Sequence, residues 1–75
     1  MDKNRSMVDV AYELMSKKKK AVNFYKLWQE VSEVKGFEED EKDEKESLFY
    51  TNITLDGRFI TVGENNWDLR SRHKF

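Results

Sequence analysis

The side chains in this chain that could do chemistry are few, and none stands where catalysis would need it. Its single histidine, His73, lies two residues from the C-terminal Phe75. A general base must be held within hydrogen-bond reach of the proton it removes, by a rigid surround that a chain end does not supply. The serines Ser6, Ser16, Ser32, Ser47 and Ser71 belong to no complete nucleophile-and-base set, and the absence of cysteine removes thiol chemistry and thiolate metal sites. Gly36, Gly57 and Gly63 are too scattered to cradle a phosphate. Residues 38–46 are rich in carboxylates, but they have neither the sharp-turn glycine nor the alternating ligands of a calcium loop. We therefore expect no catalytic residues, no cofactor and no metal, and the chemistry left to the chain is binding.

The charges that would do the binding are segregated. The formal net charge of −1 hides a run of four lysines, Lys17, Lys18, Lys19 and Lys20. It also hides an acidic stretch at residues 38–46, where seven acids face Lys42 and Lys45 for a net −5. From Arg58 onward, Arg58, Arg70, Arg72 and Lys74 outnumber Glu64 and Asp68. Basic regions thus flank an acidic middle. The exposed candidates for partner contact are Arg58, Arg70 and Arg72, whose planar forks can pair with carboxylates or phosphates alike. Each of these arginines is equally open to a solvated or intramolecular role. The lysine run reads either as a helix terminus with a solvated turn or as a phosphate-contacting patch.

The elements that must position these charges can be read from periodicity. A chain of 75 residues leaves room for one core, in a domain that buries only about 60% of its unfolded surface. Residues 6–16 predict a first helix, with Ser6 as N-cap and an apolar stripe of Met7, Val8, Val10, Ala11, Leu14 and Met15. Ala21 and Val22 predict a short strand, and Asn23 caps a second helix. In that helix Phe24, Leu27, Trp28, Val31 and Val34 face inward, Lys26, Glu30 and Glu33 face outward, and Gly36 stops the run. Residues 38–54 predict a third helix, with an acidic start and Leu48, Phe49 and Ile53 turned inward. Asp56 and Gly57 turn into strands at residues 58–62 and 66–70, joined through Gly63-Glu64-Asn65, and in the second strand Trp67 and Leu69 alternate with Asp68 and Arg70. Residues 71–75 read as a frayed end where a longer chain was cut. The whole of 1–75 reads as one α+β domain, a winged helix-turn-helix with three helices and a small antiparallel sheet made of a short strand and a C-terminal hairpin wing.

In a DNA-reading helix-turn-helix, the recognition helix lies in the major groove between two phosphate walls. Here that helix opens on a net −5 stretch, which removes the counterion-release contribution and sets like charges together. Groove docking is disfavoured. A wing-led mode through Arg58, Arg70, Arg72 and the Lys17 to Lys20 turn remains open, and it would be poor in sequence specificity. A protein partner with a basic or mixed surface suits the domain better. No run approaches the roughly 18 apolar residues of a membrane span and no signal peptide is evident, so a cytoplasmic location without membrane contact is expected. No apolar surplus suggests a dimer face, so a monomer is expected.

One family matches these residues. Phe49-Tyr50-Thr51, Leu55-Asp56-Gly57-Arg58-Phe59, Gly63-Glu64-Asn65 and Trp67-Asp68-Leu69-Arg70, with Val8 to Leu14 and Val22-Asn23-Phe24 upstream, resemble the amino-terminal domain of bacterial RNA polymerase delta subunits. These belong to the wider HARE winged-helix group, other members of which are thought to bind DNA. The chain departs from the delta pattern at Asp68, where glycine is usual, and at Ser71-Arg72-His73, where an aromatic pair is usual. The resemblance implies a non-catalytic accessory subunit. Its folded domain would dock on the RNA polymerase core near the downstream DNA channel, while a long acidic tail displaces weakly held nucleic acid, raising promoter selectivity and speeding recycling. It also implies that a chain ending at Phe75 docks but displaces nucleic acid poorly.

Overall fold

The computed structural model describes residues 6–73. Lys74 and Phe75, at the end expected to fray, lie outside the described residues. Helix α1 spans Met7–Ser16. Its first turn is closed by Ser6, whose hydroxyl accepts from the Asp9 N–H at 3.2 Å. Strand β1, Val22–Asn23, leads directly into α2, Phe24–Lys35, because the Asn23 side chain accepts from the Tyr25 N–H at 2.9 Å and fixes the turn into the helix. Gly36 ends α2 in the left-handed region, with φ of 71°.

Helix α3, Glu39–Leu55, starts with a reciprocal cap between Glu38 and Glu41, and three acids occupy its first turn, where the helix dipole favours them. Strands β2, Phe59–Thr61, and β3, Asn66–Leu69, form the hairpin. The tip between them is a run of positive φ at Gly63, Glu64 and Asn65 (104°, 50° and 61°), which lets the chain reverse in so few residues. The sheet order is β1-β3-β2, antiparallel throughout, with Val22 opposite Trp67 and Phe59 opposite Leu69. This is the winged helix-turn-helix architecture expected from the sequence.

One core joins the layers. Val10, Ala11 and Met15 from α1, Phe24, Leu27, Trp28 and Val31 from α2, Phe49 and Ile53 from α3, and Phe59, Trp67 and Leu69 from the hairpin are all buried. Its centre is a short aromatic stack, with Phe49 5.5 Å from Phe24 and 5.4 Å from Trp28.

Three sequence expectations need correcting. Leu48 does not pack inward and is 48% exposed. Helix geometry sets it roughly 100° around the axis from Phe49, beyond the narrow stripe that Phe49 and Ile53 bury. Glu30 does not simply face solvent, since its half-buried carboxylate lies 3.2 Å from Lys18 Nζ. Asp68 is not an outward polar position and is only 6% exposed. Strand alternation sends its side chain to the face opposite Trp67 and Leu69, and that face is covered. The cover is a short 3-10 turn, η1, formed by Arg70–Arg72 and held against β3 and the end of α1.

Candidate functional site

The arginines singled out for contact are largely engaged within the molecule. Arg58, at the start of the hairpin, sends Nη2 to Asp9 of α1 at 3.0 Å and to Asp56 at 2.8 Å, while its Nε donates to Asp56 at 3.0 Å. Its guanidinium also lies 5.0 Å from the centre of the Tyr12 ring. The Arg58 bond holds the Asp56 carboxyl below the ordinary carboxylate value, and it does the same for Asp9. The two carboxylates raise Arg58 in turn. Arg58 thus clamps the wing to α1. Because its side chain is 39% exposed, the clamp is screened. Arg58→Ala should cost about 1 kcal/mol, read as a lower urea midpoint at pH 7. Arg58→Lys should recover only part of this, since lysine has no fork to span both acids.

Arg72 is more deeply used. It donates to Asp68 Oδ1 at 2.9 Å, to the Met15 carbonyl at 2.9 Å and to the Lys18 carbonyl. The Met15 carbonyl lies in the last turn of α1, where a cation meets the negative end of the dipole, and the Lys18 carbonyl lies just beyond it. His73 Nε2 lies 2.9 Å from the other oxygen of Asp68. The two places at which the chain departs from the delta pattern therefore meet in space as one cluster. Arg70 is exposed, and its Nε donates to the Gly57 carbonyl at 2.9 Å. Of the three, it has the most guanidinium left for a partner.

The lysine run is a turn on the surface after α1. Lys17 lies 3.9 Å from Glu13 one helical turn back, Lys18 pairs with Glu30, and Lys19 and Lys20 are exposed. Tyr12 links part of the basic set, lining one shallow depression with Arg58 and Arg70 and a neighbouring one with Lys17 and Arg58. The far end of the lysine run opens instead on a groove shared with Val22 and Lys26.

Helix α3 presents the opposite chemistry. Its first half carries exposed Glu39, Asp40, Asp43 and Glu44, while from Ser47 to its end at Leu55 it has no charged residue. Over that second half, Leu48, Tyr50 and Leu55 are exposed, Leu55 to 80%. Sequence reasoning turned Leu48 inward and missed this face. The signal available was the abrupt end of charge after Glu46 in a helix too long to be buried all round. No helix among the described residues is long and apolar enough to cross a membrane.

The family model for the HARE-HTH domain, a helix-turn-helix domain described from ASXL proteins and restriction endonucleases among others, matches residues 5–72. The chain belongs to the HARE-HTH family. The HARE-HTH domain is a helix-turn-helix module and not a catalytic one. Among curated proteins, the chain is 40% identical over 73 residues to a "Probable DNA-directed RNA polymerase subunit delta" of Bacillus cereus, covering 97% of this chain and 41% of that protein. Proteins of the same description from Bacillus anthracis and Bacillus thuringiensis are 38% identical over 73 residues, with 42% of their length covered. The chain thus spans roughly two fifths of the curated relatives it matches.

Proposed function

We propose that this HARE-HTH domain is the docking domain of a bacterial RNA polymerase accessory subunit of the delta type, working in the cytoplasm as a monomer on the polymerase core. The observation that carries this reading is the surface of α3. The helix that a DNA reader lays in the major groove is acidic in its first half and uncharged in its second. An acidic and then apolar face suits a protein with basic and hydrophobic ground, and it repels phosphate. Similarity to proteins named as delta subunits supports the polymerase as that protein. With an acidic tail attached, the domain would tether a polyanion beside the nucleic-acid channels, favouring release of weakly held DNA or RNA, promoter selectivity and recycling of the enzyme.

A second reading, in which the domain binds duplex DNA, rests on exposed Arg70, Lys19 and Lys20. The two readings separate in one competition. The domain should bind purified polymerase core at near-physiological salt, and mixed-sequence duplex should fail to displace it. Binding to duplex alone, with affinity falling steeply as salt rises, would overturn the docking reading. A tailed version should displace nucleic acid from the core far better than the domain itself, and equal displacement by the two would remove the tail from the mechanism.

A further inference from the structure

Two exposed tyrosines share one buried support. Tyr25, at the start of α2, is 62% exposed and sets its ring edge-on to Phe24 at 5.7 Å. Tyr50, on α3, is 46% exposed and meets the same Phe24 edge-on at 5.2 Å, with a second edge contact to Trp67 at 6.4 Å. Both rings are therefore seated on the core while much of their surface remains open. Between them lies a groove of ≈ 430 Å³, also lined by Glu46, Ser47, Thr51 and Asn65. Asn65 comes from the wing tip, whose carbonyl accepts from the Phe24 N–H at 2.9 Å, so the wing forms a fixed wall.

The groove holds an acid and no cation. Among the described residues Glu46 has no ion pair, and no lysine or arginine lines the groove. Glu46 also closes the 38–46 stretch with its net −5, so the local field repels anions and attracts cations. A carboxylate flanked by two open phenol rings matches a guanidinium, which pairs in the plane of its fork and stacks through its faces. An ammonium would form the ion pair but gain less from the rings.

We propose that this groove receives an arginine side chain from an extended basic segment of the partner protein, paired with Glu46 and stacked against Tyr25 and Tyr50. The proposal rests on the protein-docking reading and deepens it, because it narrows the contact from the surface of α3 to the junction of α2, α3 and the wing tip.

The test has two arms. In the first, isotope-labelled protein is titrated with the peptide acetyl-Gly-Arg-Gly-Arg-Gly-amide and with its lysine and glutamate counterparts, while backbone amide resonances are followed. The arginine peptide should shift Tyr25, Glu46, Tyr50 and Asn65 most strongly, the lysine peptide less and the glutamate peptide not at all. Shifts spread along the exposed acids of α3, or an equal response to lysine, would overturn the assignment. In the second arm, Glu46→Lys and Tyr25→Ala should each weaken binding to polymerase core by about tenfold or more. Glu33→Lys, the same charge change on the exposed side of α2, should not, and thermal melts would report whether each variant folds. If the wild-type domain binds core and both groove variants bind equally well, the groove proposal fails while the accessory-subunit reading stands. If the wild-type domain ignores core, that reading fails, and the peptide arm decides the groove by itself.

Discussion

Phe49→Ala should strip the domain of a large part of its stability. Phe49 is completely buried, and its ring stacks on Phe24 and Trp28, so it joins α3 to α2 at the centre of the molecule. Truncating such a ring removes its transfer energy and leaves a cavity, at a combined cost of about 3–5 kcal/mol. At roughly 0.05–0.15 kcal/mol per residue, a chain of this length has about 4–11 kcal/mol in total. The loss therefore consumes from about a quarter to all of the stability, and a chain without cysteine has no disulfide to compensate. Far-UV circular dichroism during heating should give a midpoint lowered by about 15 °C or more, or no cooperative transition at all. A drop of less than about 5 °C would mean that the stack contributes little.

The second large effect is expected at Asp68. Its carboxylate is buried and accepts from the Leu69 N–H at 2.8 Å and from Arg72, with His73 on its second oxygen. Burial pushes its proton affinity up. The bonds from His73, the Leu69 N–H and Arg72 outweigh that and leave the carboxyl below the ordinary value of 3.8. Asp68→Ala strips the carboxylate from Arg72 and His73, leaving η1 held through the Arg72 bonds to the Met15 and Lys18 carbonyls and the Arg70 N–H bond to the Arg58 carbonyl. Loss of one member of a buried pair costs about 3–5 kcal/mol, and the partial exposure of Arg72 reduces that to about 2–3 kcal/mol.

This cluster and the Arg58 clamp together set an acid limit on the fold. Asp9, Asp56 and Asp68 all have carboxyls held below 3.8, so the unfolded chain takes up protons more readily than the folded one. Their contribution is complete once the pH is well above about 4, and it is lost progressively as the pH falls through the lower folded-state values. Urea midpoints measured from pH 6 downward should fall steeply below about pH 4 in the wild type and less steeply in Asp68→Asn. Parallel curves for the two proteins would show that Asp68 is not among the groups responsible.

The sequence was most informative where signals are local. The Ser6 and Asn23 caps, the stop at Gly36, the acidic opening of α3 and the turn at Gly63 each lie within a few residues of the structure they specify, and all appear as read. Leu48 went astray because apolar character does not say how wide the buried stripe of a helix is. Only the fit of Phe49 and Ile53 into the core determines that width, and it leaves Leu48 and Leu55 outside.

The three arginines mark the boundary between the two kinds of information. Their type and number are plain in the sequence, and so is the prospect that they pair with carboxylates. Which carboxylates they find is not: Arg58 reaches Asp9 across 49 positions, and Arg72 reaches Met15 across 57. What the amino-acid sequence determined by itself is the family, the order of elements, most of the buried residues and the segregation of charge, because these depend on neighbouring residues and on composition. The tertiary structure alone decided that two of the three expected contact arginines serve as internal clamps, that Asp68 is buried beneath the turn at Arg70–Arg72, and that Tyr25, Glu46, Tyr50 and Asn65 meet in one groove. Those outcomes depend on pairings between distant positions, which exist only once the core has assembled and brought the helices, the wing and the C-terminal turn together.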